Sequence, residues 1–192
     1  MSEPSDARQI TDARVLAAMA HPLRRRLMDV LRVDGPATAS TLAERTGQAV
    51  GNISHHLRTL AACELVAEAP ELARDRRERW WRLVSRRTRW SSGDFGDDSA
   101  AEAIELAAAS LNLDRQVGFV RAFAAAGEPE RASWPTGPFS TDTWLHLTDA
   151  ELAEFAGEVI ALFQRWSDRD LPDDGADRRP VFAFARGVPA RP

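Results

Sequence analysis

The first ninety positions gather their apolar residues into short periodic runs separated by glycine, proline and polar punctuation. Val15, Leu16 and Met19 share one helical stripe within 12–20, and Leu23, Leu27, Val30 and Leu31 share another within 22–33. His21-Pro22 parts the two, with proline at a first helical position, and Asp34-Gly35-Pro36 ends the second. Thr38 is placed to cap a third helix over 39–46, which buries Leu42 and Ala43 and stops at Gly47. A fourth helix, roughly 49–62, follows almost at once. Ile53, Leu57 and Leu60 recur at i, i+4, i+7 and mark its buried face, while Gly51, Asn52, His55, Arg58 and Thr59 point the other way. Leu65-Val66-Ala67-Glu68 and Trp80-Trp81-Arg82-Leu83-Val84 then read as two strands around a loop over 69–79. Trp80 and Trp81, adjacent on a strand, face opposite sides, so one belongs to the core.

The pattern changes after the polar stretch 91–98. Ser99 opens a long helix to about Ala126 with Leu106, Leu113, Val117, Val120 and Ala124 on one strip and Ile104, Leu111 and Phe123 on a second. A helix apolar on two sides needs two partners, its own domain and a second copy of the chain. Gly127 to Pro138 is a loop. Thr148-Asp149-Ala150-Glu151 is a capping box with Leu147 and Leu152 as its hydrophobic staple. Leu152, Phe155, Val159, Phe163 and Trp166 stripe the helix that follows to about Asp168, and Val181–Ala185 reads as a final strand. The aromatics Trp90, Trp134, Trp144, Trp166, Phe119, Phe123, Phe139 and Phe155 read first as an ordinary core and second as an apolar effector pocket.

The resulting fold class is mainly α with a small β-hairpin wing. Residues 1–11 are expected as a flexible N-terminus, 12–90 as a winged helix-turn-helix, 91–98 as a hinge, and 99–192 as a helical C-terminal domain for dimerisation and small-molecule sensing. Two short helices joined by a glycine turn, the second apolar behind and polar in front, are the arrangement that enters a DNA groove.

Charge supports that division. The net charge of −4 hides 16 arginines against 11 acids in residues 1–92, and 9 against 18 in residues 93–192. Only the first half is suited to a polyanion. Residues 74–89 hold eight arginines and two acids, more than solubility requires, with Arg74, Arg76 and Arg77 in the wing loop. All 25 cationic side chains are arginine, whose planar fork suits phosphate and guanine. The candidate DNA contacts are therefore Gln48, Gly51, Asn52, Ser54, His55, His56, Arg58, Arg74, Arg76 and Arg77. Asn52 suits adenine and Arg58 guanine. For His56, at the edge of the apolar stripe, packing against the preceding helix and a phosphate contact stand as equal alternatives; Gln48 serves as a cap or a contact. Of Arg24, Arg25 and Arg26, at least one is expected to pair internally.

Other chemistries find little support. Cys63 is the only cysteine, and His21, His55, His56 and His146 include no pair at i+3 or i+4 spacing, so neither a disulfide nor a metal site is expected. No glycine-rich phosphate loop, activated nucleophile or carboxylate pair suggests an enzyme, and no cofactor is implied. No apolar run approaches the ~18 residues of a membrane helix, and the polar N-terminus lacks a signal pattern, so a cytoplasmic protein is expected.

His21-Pro22-Leu23-Arg24, the turn from Leu42-Ala43 to Gly47, Ser54-His55-His56-Leu57 and the strand start Leu65-Val66 resemble the ArsR-type winged helix-turn-helix regulators over about residues 12–90. The resemblance implies a homodimeric DNA-binding regulator, read as a repressor of a two-fold symmetric operator with its fourth helix in the major groove. Two departures stand out. The metal-sensing branch carries a Cys-x-Cys type pair on its third helix, whereas 39–46 contains neither Cys nor His. Glu64 stands where the family usually has glycine, which implies a different or strained helix exit. A protein–protein adaptor that uses the same scaffold without DNA is the alternative; the polar front of the fourth helix argues against it.

Overall fold

A computed structural model describes residues 7–75, 78–90 and 99–191 and divides the chain into two compact units, Met1–Val117 and Gly118–Pro192. Arg76, Arg77 and the proposed hinge 91–98 lie outside the described residues.

In the first unit, α1 (Ala13–Met19), α2 (Pro22–Val33), α3 (Ala39–Thr46) and α4 (Val50–Ala62) pack around one core. Their ends follow the local chemistry. The Asp12 carboxylate accepts the N–H of Arg14 at the start of α1, Pro22 occupies the first turn of α2, and the Thr38 hydroxyl accepts the N–H of Thr41 at the start of α3. Gly47 closes α3 in the left-handed conformation, φ 67°, where the N–H of Gln48 reaches the carbonyl of Ala43. Leu16, Leu27, Leu42, Ile53, Leu57 and Leu60 are all fully buried, each contributing about 1.5–3 kcal/mol relative to exposure. These are the positions that the helical stripes select.

The wing is β3 (Val66–Glu68) and β4 (Trp80–Leu83), antiparallel, with a single 3-10 turn at Pro70–Leu72 in the loop. A two-residue strand, β2 (Ala37–Thr38), pairs with the other edge of β4 to give the order β2-β4-β3. Trp81 is the core tryptophan and Trp80 the half-buried one on the opposite face. Two short strands escape the periodicity argument altogether. Residues 7–9, expected within a flexible N-terminus, form β1 (Ala7–Gln9), parallel to β5 (Arg87–Arg89), and Ile10 behind it is buried. Ile10 supplies the reason: one apolar side chain anchors the segment in the core.

The long helix α5 (Ser99–Ala124) begins in the first unit. Ala108 joins the core there, with Ile104 and Trp90 packed against it, and Arg115 clasps Asp29 of α2 through two 2.6 Å hydrogen bonds. The division between the two units falls after Val117, inside the helix.

The second unit holds the end of α5, a short α6 (Glu128–Ala132), α7 (Asp149–Ser167) and a long extended segment. Both halves of the capping box form at α7: the Thr148 hydroxyl accepts from the N–H of Glu151, and the Glu151 carboxylate accepts from the N–H of Thr148 at 2.7 Å. The expected strand at 181–185 does not form, because the described residues of this unit contain no strand to share its ladder. The segment instead lays Phe182 against Phe119, ring centroids 4.6 Å apart. The expected ordinary core is also missing: no described residue of this unit is buried, and Phe139, Trp144 and Trp166 are more than half exposed.

Candidate nucleic-acid interface

The outward face of α4 is a consequence of its inward one. With Ile53, Leu57 and Leu60 in the core, Gly51, Asn52, His55 and Arg58 are all exposed, and Gln48 is exposed just ahead of them. Asn52 donates through Nδ2 to Oε1 of Gln48 at 3.2 Å, which joins the two amides on one surface. Ser54 is half-buried and its hydroxyl donates back to the carbonyl of Val50 at 2.9 Å, so its oxygen retains only acceptor capacity. Gly51 has nothing within 4 Å of the position a Cβ would take, so the front of the helix is flat and open there.

His56 resolves toward packing. It is 8% exposed, its ring lies 4.7 Å from that of His21 and 5.4 Å from that of His55, and burial, then His21, Arg24 and His55, push its pKa below the usual histidine value. Of the two roles open to His56, this burial and ring contact favour packing.

Two features of this face were not read from the sequence. Val50 is 46% exposed at the first turn, an apolar group of the kind that meets a thymine methyl. Ala49 at the N-cap provides no side-chain acceptor, so the first N–H groups of α4 stay available to an anion. The signal was legible: alanine is a poor N-cap, and a helix that opens on one leaves its donors to something else.

The wing spends its acids on itself. The N–H of Arg74 donates to Glu78 Oε2 at 2.9 Å and the N–H of Glu78 to Asp75 Oδ1 at 3.1 Å, and the first of these holds the Glu78 carboxyl below its usual pKa. Arg79 pairs with Glu68 and Arg82 with Glu71. Arg87 and Arg89 belong to β5, where Arg89 donates to Gln9 at 2.7 Å. Arg74 is exposed in the described part of the wing loop.

All three arginines at 24–26 donate within the chain, Arg24 and Arg25 half-buried and Arg26 exposed. Arg24 donates to the carbonyls of Ala17 and Ala18 at the end of α1, and Arg26 to those of Arg45 and Thr46 at the end of α3. Arg25 reaches Asn112 of α5, and burial, with Arg115 nearby, lowers its pKa to about 10. Among the described residues, no group of three or more His, Cys, Asp or Glu is placed to hold a metal, and no helix is long and apolar enough to cross a membrane.

Residues 19–69, from the end of α1 to just past β3, match a family model described as a helix-turn-helix domain. No curated protein matches the chain. Among solved structures it is similar to the C30AH42A mutant of Lactococcus lactis ZitR, at 14% identity over 74% of each chain with a TM-score of 0.30. The apo form of that mutant gives 16% identity over 76% of this chain and 81% of that one, again with a TM-score of 0.30.

Proposed function

We propose that this protein is a DNA-binding transcriptional regulator, a homodimeric repressor of the ArsR-type winged-helix class that acts in the cytoplasm on a two-fold symmetric operator. The observation that carries the reading is the exposed face of α4, amide-rich, flat at Gly51 and cationic at Arg58, on a helix-turn-helix whose neighbouring wing presents Arg74. In this reading α4 lies in the major groove. Asn52, His55 and Arg58 meet base edges, Gln48 and Ser54 flank them, and Arg74, Arg76 and Arg77 hold phosphates beside the groove. The absence of Cys and His from 39–46 sets it apart from the metal-sensing branch, and a small-molecule effector would act through the C-terminal half.

Affinity in this mechanism comes mainly from arginine–phosphate contacts and falls with salt. With four or more such contacts, raising salt from about 50 to about 200 mM should weaken binding ~100-fold or more. Duplexes selected from random DNA and titrated by fluorescence anisotropy provide the measurement. Selection of no sequence at all, or affinity that barely moves with salt, would reject the mechanism.

A further inference from the structure

Among the described residues, three guanidiniums meet one carboxylate where α2 packs on α5. Asp29 of α2 accepts both 2.6 Å hydrogen bonds of Arg115 and a third, at 3.1 Å, from Arg32, whose Nε donates to the carbonyl of Arg86 at 2.8 Å. Both oxygens of Asp29 are thereby engaged. Arg25 lies beside this group, repelled by Arg115 and Arg32 and attracted by Asp29. It donates from Nη2 to the neutral amide oxygen of Asn112 at 3.3 Å, an acceptor that Arg115 shares at 3.4 Å. Nε and Nη1 of Arg25 are buried and make no hydrogen bond within the chain.

A buried charge without an opposite partner costs far more than an unmade neutral hydrogen bond. The cost is visible in Arg25 itself, whose pKa burial and then Arg115 lower to about 10. A cavity of about 10 Å³ opens beside the same side chain, with Met19, Trp90, Ala108 and Leu111 as its apolar wall and Arg25 and Asn112 as its polar one. That is room for one particle of about water size. Water would supply an acceptor but no charge. A doubly charged oxyanion such as sulfate is too large for the space, and a double charge is much harder to strip of its water than a single one.

We propose that this cavity is a binding site for one compact monovalent anion of chloride size, held by Arg25 between the end of α1, α2 and α5. The anion accepts from a buried N–H of Arg25 and brings the second negative charge that the three guanidiniums call for. Asn112 holds the guanidinium in place through Oδ1. The apolar wall keeps bulk water away, which strengthens the attraction between guanidinium and anion. The site shares no residue with the exposed face of α4 and goes beyond the function proposed above.

Urea unfolding of the full chain at constant ionic strength, with sodium chloride exchanged for sodium fluoride, tests the site. The general effect of each salt on exposed surface is common to wild type and variants, so the difference between them isolates the site. Chloride at about ten times its dissociation constant should lower the wild-type unfolding constant about 10-fold relative to the variants. Arg25→Met removes the charge at similar length and should erase the chloride dependence. Asn112→Asp supplies the missing charge from the chain itself, so it should be more stable than the wild type in fluoride and indifferent to chloride. Chloride NMR linewidths, broadened by the wild type and by neither variant, report binding directly. A wild type that broadens them no more than the variants overturns the inference, since water then fills the cavity. So does a chloride dependence that survives in Asn112→Asp, which would place the anion among other arginines. An equal response to sulfate rejects a compact monovalent site. Ionic strength is fixed and no DNA is present, so these outcomes leave the salt-dependent DNA binding to its own test.

Discussion

Glu64 is the one described non-glycine residue with a positive φ, 54°, and it sits where α4 hands over to β3. The hydrogen bonds there are those of a glycine-terminated helix: the N–H of Leu65 reaches the carbonyl of Leu60 and the N–H of Glu64 that of Ala61, both at 2.9 Å. The exit is thus the usual one, built on a residue that resists it. A side chain in the left-handed region costs roughly 1–2 kcal/mol, and glycine's greater freedom in the unfolded chain offsets part of that. Glu64→Gly should therefore stabilise the first unit by about 1 kcal/mol, read as a higher urea midpoint at unchanged slope. The substitution also removes the ion pair between Arg8 and the Glu64 carboxylate, but at 3.8 Å and with Glu64 83% exposed that pair is too solvated to reverse the sign. A lower midpoint would show that Glu64 has a role which the backbone does not reveal. The strain was legible from one residue standing where a family pattern has glycine; the internal hydrogen bonds of Arg24–Arg26 were not. A guanidinium on a helix surface looks the same in sequence whether it meets water, phosphate or a carbonyl six residues back.

At the scale of elements, the helices of the first unit were almost fully legible, because amphipathic stripes and end signals at Thr38, Gly47 and Pro22 agree with each other. The strands β1, β2 and β5 were not, since two or three residues carry no periodicity. What joins the elements was equally hidden. Arg8 donates to the carbonyls of Cys63 and Glu64 at the end of α4, Arg24 serves α1, Arg26 serves α3, and Arg131 serves the end of α5. Four helix ends are thereby tied by arginines from elsewhere in the chain. The joint between α2 and α4 works differently, through His21 packed at a tilt against His56 with Arg24 beside both and His55 edge-on to His56. Burial first, then Arg24 for His21 and His21, Arg24 and His55 for His56, lower both histidine pKa values below 6.5. Below that pH the unfolded chain takes up protons that the folded chain still refuses, so stability must fall as pH drops from about 6.5 toward the folded values. Urea unfolding at pH 7.5, 6.5 and 5.5 should show this decline, and His56→Leu should flatten it. A wild type as stable at pH 5.5 as at 7.5 would mean that the pair is not excluding protons.

For the whole molecule, the charge split and the missing core have a joint consequence. Residues 1–92 carry +5 and residues 93–192 carry −9, so the half that exposes most of the large apolar side chains is also the acidic half. The two-sided α5 was legible in the sequence, but the aromatics read as a core, because composition cannot say whether apolar residues meet their own chain or another's. If a second copy supplies that core, it also holds two α4 helices at a fixed separation. Half-sites about one helical turn apart then bind as one ligand, and the second contact is made at an effective concentration near millimolar. The gain over a single half-site is on the order of 10²–10⁴-fold without any new contact to DNA. Leu162→Glu with Trp166→Glu should therefore forfeit about that factor on a two-half-site duplex and nothing on a duplex carrying one half-site. Arg58→Ala should weaken both duplexes, because Arg58 is proposed to act within each α4. Fluorescence anisotropy on the two duplexes separates the cases. Equal losses for the double variant on both would show that α7 supports the DNA-binding unit itself instead of joining two of them.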